Sequence, residues 1–131
     1  MADRPAYWFN QALRNLDYAA DSAEHGQHDS ACFAAQQAAE LALKSVCERL
    51  HRPIGNHDIW ELLRSLPPEM NVTKELYDAA RTLEFFHLQV CCAHIRMARS
   101  PALELDRNDS TKALQCAESI IEFCRQSPLK N

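Results

Sequence analysis

The sequence predicts an all-α protein, folded as an up-and-down bundle of four long helices plus one short helix. Three observations point to this class. Alanine, leucine, glutamate and glutamine, which are good helix formers, recur throughout the 131 residues. The 2 glycines are too few for a turn-rich β protein. Apolar residues also return every three or four positions, which is the period of a helix with one buried face. The length suits a single domain over residues 1–131.

The first predicted helix spans Pro5–Glu24. Proline suits the first turn of a helix, and Gly26 is typical of the residue that follows a helix end. Its apolar stripe consists of Phe9, Ala12, Leu16, Ala19 and Ala23.

The second and longest predicted helix spans Asp29–Leu50. Asp29 or Ser30 suits its N-cap, and Pro53 prevents the helix from continuing. Its inward seam is predicted to consist of Cys32, Gln36, Ala39, Leu43, Val46 and Leu50. Gln36 is the one polar member of that seam, and a buried amide needs hydrogen-bond partners, so we expect it to fix helix register or a dimer contact.

The remaining helices are predicted over His57–Leu66, Val72–Ala93 and Asp109–Arg125. We predict a loop over residues 96–108, because this segment contains Pro101 and mixes polar and apolar residues. Residues 126–131 are predicted to be a frayed end. Short connections between long amphipathic helices favour antiparallel neighbours.

Composition excludes several classes of function. The formal net charge of −4 argues against a protein that coats nucleic acid nonspecifically, and no Gly-rich phosphate loop is present. No apolar stretch is long enough to span a membrane and the N-terminus has no signal core, so we expect a cytoplasmic protein. In that compartment the 6 cysteines are expected to be free thiols. No C-x-x-C pair occurs, so a zinc ribbon or a thioredoxin-like site has no support. We predict no metal and no cofactor.

Two motifs carry a family resemblance. Residues 31–44 read ACFAAQQAAELALK, and residues 56–63 read NHDIWELL. These resemble the A-C-F-x-x-Q-Q-A-x-E-x-x-L-K and T-H-D-L-x-x-L-L motifs of the HEPN family (higher eukaryotes and prokaryotes nucleotide-binding). The resemblance extends from about Ala6 to Arg125. The R-Y-P motif of many members has its nearest match at Arg99–Pro101, where serine replaces tyrosine, although the spacing from Leu83 would instead place it at 91–93, where there is no arginine.

The resemblance implies a homodimer that binds nucleotide or RNA, with a minimal nucleotidyltransferase as partner in a toxin–antitoxin-like pair. In that interpretation Lys44, Arg52 and Arg99 neutralise phosphate and His57 lines the groove. The other motif residues Gln36, Gln37 and Glu40 would form a polar face for a ligand or partner. The alternative for Gln37, Glu40 and Lys44 is a solvated surface with a Glu40–Lys44 ion pair. For His57 and Asp58 the alternative is capping of the third helix.

A ribonuclease is the competing function. RNA-cleaving members of this family carry an arginine followed after four to six residues by a histidine, and both Arg81–His87 and Arg52–His57 satisfy that pattern. His87 would act as the general base without a metal ion, and Arg81 would stabilise charge on the phosphate. A structural dimerisation scaffold is the third hypothesis. His87, Cys91 and His94 share one face of the fourth helix, which is the spacing of zinc ligands or a coincidence of composition.

Overall fold

The computed structural model describes residues 3–54, 58–96 and 105–126, with side chains described as far as residue 90 in the second range. Every regular element within these ranges is helical, which confirms the predicted class. The elements are α1 (Arg4–Glu24), α2 (His28–Arg49), α3 (Ile59–Arg64), a 3-10 turn at Pro68–Met70, α4 (Lys74–Arg96) and α5 (Arg107–Arg125). None of the described helices combines the length and apolar character needed to cross a membrane.

The long helices alternate in direction. The start of α1 meets the end of α2, where the Ser45 hydroxyl donates to the carbonyl of Pro5 at 2.7 Å. The N-termini of α2 and α5 lie together, because His28 Nδ1 and Ser110 Oγ are 2.9 Å apart. Helix α2 is therefore antiparallel to α1 and parallel to α5, as an up-and-down bundle requires.

Helix α4 lies antiparallel to α2, and α3 is inserted between them in the chain. Phe33 lies beside His87, and Gln36 lies beside Glu84 one turn further along α2 and one turn earlier on α4. Among the described residues α1 and α4 do not contact each other, whereas α2 contacts both. One face of α2 is therefore left uncovered between α1 and α4.

Helix α2 is the centre of the core. Small side chains allow its neighbours to approach closely, and six of its alanines are buried: Ala31, Ala34, Ala35, Ala38, Ala39 and Ala42. The predicted seam is confirmed from Cys32 to Val46, including Gln36, while Leu50 is only half-buried. The larger core side chains come from the surrounding helices and from Leu43.

The ends of α1 and α2 share one geometry. After α1, Gly26 has φ +76°, and the Gln27 N–H donates to the carbonyl of Ser22 at 2.9 Å. After α2, His51 has φ +56°, and the Arg52 N–H donates to the carbonyl of Cys47 at 2.9 Å. Both are Schellman motifs, which satisfy carbonyls of the last turn. Helix α2 is thus ended by a left-handed residue two positions before the proline that was predicted to stop it.

The predicted caps of α2 are wrong. The helix starts at His28, its N-cap is Gln27, and no side chain caps it. Asp29 instead accepts a hydrogen bond from the Leu105 N–H at 3.1 Å, which ties the start of α2 to the segment before α5. The hydrogen bond to Leu105 therefore takes the place of the local cap that the sequence suggested for Asp29.

Several other boundaries differ from prediction. Helix α3 begins at Ile59 and ends at Arg64, short of the predicted Leu66, because the chain turns at Ser65. Thr73 caps α4, so that helix begins at Lys74 rather than at Val72. Helix α5 begins two residues early, because Asp106 and Asp109 form a capping box. The predicted frayed tail lies outside the described residues apart from Gln126.

Candidate functional site

A polar network runs from the face of α2 that α1 and α4 leave uncovered into the core. Gln36 is only 2% exposed, and its Nε2 donates to Glu40 Oε1 at 3.1 Å and to Glu84 Oε2 at 3.4 Å. Its Oε1 accepts from Gln37 Nε2 at 2.8 Å. The amide is therefore fully used, and its NH₂ group is the donor shared by two carboxylates. The motif residues of α2 belong to one connected network that reaches across to α4.

Lys44 closes one end of this network. Its Nζ lies 2.8 Å from Glu40 Oε2, and the two side chains are 18% and 22% exposed, respectively. The same ammonium lies 5.8 Å from the centroid of the Trp8 ring. The predicted Glu40–Lys44 pair is confirmed, but it is half-buried rather than a solvated surface. The charge of Lys44 is already balanced by Glu40, which reduces what it offers to a phosphate.

A cleft of about 440 Å³ opens between α3 and α4. It is lined by Asp58, Trp60, Arg81, Glu84, Phe85 and Leu88. We call it the Trp60 cleft. Glu84 also accepts from the Ile59 N–H at 3.0 Å, so the carboxylate that ends the Gln36 network lies at the Trp60 cleft as well. Glu84 therefore connects the Gln36 network to the Trp60 cleft.

Two cations and a second ring pack around Trp60, and Arg81 lines the Trp60 cleft as well. The guanidinium carbons of Arg64 and Arg81 lie 4.9 and 5.7 Å from the Trp60 ring centroid, and Tyr77 packs against the same indole at 5.8 Å. Phe85 is 56% exposed, although it is a large apolar side chain. Aromatic rings and guanidinium planes stack on bases, and guanidinium groups bind phosphate. The Trp60 cleft therefore has the chemistry that a nucleotide requires.

Local sequence explains how the mouth of the Trp60 cleft is built. Asp58 accepts from the Glu61 N–H at 2.8 Å, and the Glu61 carboxylate accepts from the Asp58 N–H at 3.4 Å, a capping box that fixes the start of α3. The capping interpretation of Asp58 is confirmed. Trp60 and Arg64 are one helical turn apart on α3, which places the guanidinium over the ring.

Arg81 and His87 face different neighbours within one chain. Arg81 lies over Trp60, whereas the His87 ring stacks on Phe33 with centroids 5.4 Å apart. Six residues on an α-helix are separated by roughly 9 Å along the axis and roughly 120° around it. A single copy therefore does not place the two side chains at one phosphate.

Other predicted site residues are not all described. Arg52 is exposed in the segment after α2. His57, Arg99 and the side chains of Cys91 and His94 lie outside the described residues, so their predicted roles stay predictions. Among the described residues, no group of three His, Cys, Asp or Glu side chains has the arrangement of a metal site.

A second depression, of about 580 Å³, lies on α5. Glu118 and Glu122 line it and no cation does, so it disfavours phosphate. The Trp60 cleft is the smaller of the two, but it is the one whose side chains match a ligand.

Sequence reasoning missed Trp60, Arg64, Glu84 and Phe85 as site residues. A signal for part of this set was present, because Phe85 is an aromatic residue outside the apolar stripe of its helix, which consists of Leu76, Ala79, Leu83, Phe86 and Val90. The approach of Arg81 to Trp60 had no such signal, since 21 residues and a 3-10 turn separate them along the chain.

Comparison with known proteins agrees with the bundle and with the α2 motif. Residues 6–127 match the HEPN domain family. The chain belongs to that family. Three solved structures share the HEPN fold seen here. The protein TT1696 from Thermus thermophilus is 33% identical with a TM-score of 0.86, covering 95% of this chain and 98% of that one.

The other two structures are more distant. An HEPN domain protein from Thermotoga maritima is 26% identical with a TM-score of 0.72, covering 91% of this chain and 94% of its own. ST0689, an archaeal HEPN homologue, is 24% identical with a TM-score of 0.77, covering 95% and 97%, and shows the fold alone. Comparison with functionally curated proteins finds no match for this HEPN chain.

Proposed function

We propose that this HEPN protein binds nucleotide or RNA, and that the Trp60 cleft is the binding site. The observation that carries the proposal is the placement of two guanidinium groups over one indole beside an exposed phenylalanine. Cationic groups neutralise phosphate while ring and guanidinium planes stack on bases, and this combination is common to single-strand binding surfaces. The net charge of −4 limits the interaction to this local site.

This proposal changes which residues contact phosphate. Arg81 and Arg64 take the role expected of Lys44, because Lys44 is paired with Glu40 and half-buried. Arg52, His57 and Arg99 remain candidates for contacts with a longer RNA. Gln36, Gln37 and Glu40 act behind the Trp60 cleft by holding Glu84, and they do not face the ligand in this proposal.

The test is binding of a short single-stranded RNA by Arg81→Gln. Arg81 is exposed, so the fold should be little affected. We expect weaker binding and a salt dependence whose slope falls by about 0.7, the value for one lost phosphate contact on a single strand. Arg125→Gln is the matched control, because Arg125 also lies over an aromatic ring, that of Phe9 at 5.4 Å, but on α5.

A second variant tests the stacking surface. Phe85→Ala should weaken binding roughly 5- to 150-fold, the range for loss of one stacked base, because the Phe85 ring is exposed in the Trp60 cleft whereas Arg64, Arg81 and Tyr77 pack on Trp60; Phe85→Tyr should retain most of the binding. Circular dichroism of each variant checks the fold. RNA and mononucleotide affinities unchanged by both Arg81→Gln and Phe85→Ala would refute the Trp60 cleft as the site. Absence of any nucleotide or RNA binding would favour the scaffold hypothesis.

We also propose that the protein forms a homodimer through the exposed apolar side chains of α2 and α4. Phe33 and Leu88 are 39% and 59% exposed, which is unusual for large apolar residues on neighbouring helices. Leu88 also lines the Trp60 cleft, so the cleft would open at the edge of this interface and Phe85 would remain available to a ligand. Leu88→Glu should then convert a dimer to a monomer in analytical ultracentrifugation, and Tyr18→Glu, at an exposed apolar residue on α1, is the control. A minimal nucleotidyltransferase as partner rests on family membership, and co-purification of the two proteins tests it.

The ribonuclease alternative requires a second copy to bring an arginine and a histidine together. Structured RNA incubated in EDTA with the wild type and with His87→Ala tests this hypothesis. Cleavage lost in the variant would support it, while cleavage that persists would exclude His87 as the base.

A further inference from the structure

Glu84 is held in place before any ligand arrives. Its Oε2 accepts from the Ile59 N–H at 3.0 Å and from Gln36 Nε2 at 3.4 Å, so a backbone donor and a buried side chain fix the same oxygen. Gln36 cannot turn away, because its own oxygen is engaged by Gln37 and its NH₂ group serves two carboxylates. The Glu84 carboxylate is therefore a preorganised acceptor at the Trp60 cleft.

The second oxygen of Glu84 is the part that a ligand can use. Within the described ranges both hydrogen bonds to this carboxylate end on Oε2, and none ends on Oε1. Glu84 lines the Trp60 cleft and is half-buried, so a ligand group there meets an acceptor that has unused lone pairs and no donor of its own.

We propose that the Trp60 cleft selects guanine over the other bases, an inference that rests on the proposed nucleotide binding. An ionised carboxylate only accepts hydrogen bonds. Guanine presents two adjacent donors, N1–H and the N2 amino group, on one edge. Adenine and cytosine place an acceptor nitrogen beside their amino group, and uracil flanks its N–H with two carbonyl oxygens. Each of these three bases can donate one hydrogen bond to the carboxylate, but it places a lone pair beside that donor and so cannot donate two.

Neighbouring side chains fit the same base. The exposed ring of Phe85 and the guanidinium of Arg81 lie at the Trp60 cleft together with Glu84. They supply planar surfaces for the base and a positive charge for its phosphate. Asp58 also lines the Trp60 cleft, but it is exposed and, within the described part of the chain, only the Glu61 N–H donates to it, whereas Glu84 is half-buried and held by two donors. Glu84 is therefore the specificity-determining acceptor.

The experiment compares GMP, IMP and AMP by isothermal titration calorimetry on the full chain. Glu84 Oε1 has lone pairs for both guanine donors, and a two-donor contact to a base discriminates by roughly 5- to 150-fold, so GMP should bind more tightly than AMP by at least the lower figure. IMP lacks the N2 amino group and should bind more weakly than GMP. Glu84→Gln replaces one acceptor with a donor and should abolish the preference. Glu118→Gln, at an exposed carboxylate of α5 outside the Trp60 cleft, should retain it.

The outcomes separate the two proposals. GMP and AMP bound equally by the wild type, with both weakened by Arg81→Gln, would overturn guanine selection and leave nucleotide binding standing. No binding of any nucleotide or RNA would overturn both. The comparison of GMP with IMP uses only the wild type, so it tests guanine selection even where Glu84→Gln fails to fold. A preference for GMP that persists in folded Glu84→Gln would overturn the role of Glu84.

Discussion

Gln36 supports a prediction about stability that depends on pH. Its NH₂ group lies 3.1 Å from Glu40 Oε1 and 3.4 Å from Glu84 Oε2, and the side chain is 2% exposed. Gln36→Glu keeps the shape of the side chain and replaces the shared donor with a third negative charge. Gln36→Leu removes the donor without adding a charge. The pair of variants separates loss of hydrogen bonds from repulsion.

The magnitude follows from the distances. Two like charges about 4 Å apart repel by about 4 kcal/mol at an effective dielectric constant of 20. Glu40 is partly exposed and its charge is partly balanced by Lys44, so the sum of two such terms must be discounted. We expect Gln36→Glu to lose about 3–5 kcal/mol at neutral pH, the range for an uncompensated buried charge. We expect Gln36→Leu to lose about 2 kcal/mol, since each carboxylate regains part of its solvation from water.

The pH dependence has a definite sign. The carboxyl group introduced at position 36 faces two carboxylates, so its pKa in the folded protein lies above the ordinary value. The folded state then binds a proton that the unfolded state releases, and the penalty shrinks as the pH falls through the folded pKa. Urea unfolding of both variants at about pH 7.5 and about pH 5 measures this.

Two outcomes would contradict charge repulsion at position 36. Gln36→Glu within about 1 kcal/mol of the wild type at neutral pH would show that the carboxylates are effectively solvated. A gap between the Glu and Leu variants that does not change with pH would exclude repulsion as its cause. Gln115→Glu, at an exposed position on α5, is the control and should change stability by less than about 0.5 kcal/mol.

Three further predictions concern local structure and thiol chemistry. His51→Gly should stabilise the protein by about 0.5–1 kcal/mol in thermal melts, because His51 has a left-handed φ of +56° that glycine adopts without strain; a loss of stability would contradict this. Asp58→Ala should cost about 1 kcal/mol through loss of the α3 cap, and Asp58→Asn should not, so equal effects of the two would exclude capping. Burial raises the pKa of Cys32 to about 12, so iodoacetamide at pH 8 should label this thiol only after unfolding, as read by peptide mass spectrometry; rapid labelling of the native protein would show that the thiol is accessible.

The local sequence pattern predicted the helices but not the residues at which they begin and end. The apolar period predicted α1, α2, α4 and α5 because burial of one face recurs with the helical repeat. The ends depend on competition between nearby groups. Asp29 was a reasonable cap for α2, but the backbone N–H of Leu105 engages its carboxylate instead. A donor 76 residues away in the chain cannot be read from local sequence.

The site was predicted by residue type but not by arrangement. The motif on α2 pointed correctly to Gln36 as a polar residue in the core and to the Glu40–Lys44 pair. It also suggested that Lys44 faces a phosphate, whereas the fold places that ammonium between Glu40 and Trp8. Which charges are already balanced is decided by neighbours from other helices.

The helical class, the family and the polar residue in the central helix could all be predicted from the sequence, because each depends on the spacing of residues along one chain. The tertiary structure alone decided that Arg81 meets Trp60, that Gln36 reaches Glu84, and that α1 and α4 leave a face of α2 open. The reason is physical. Periodicity reports which side of each helix avoids water, whereas a binding site depends on how separate helices bring charges and rings within a few ångströms of one another.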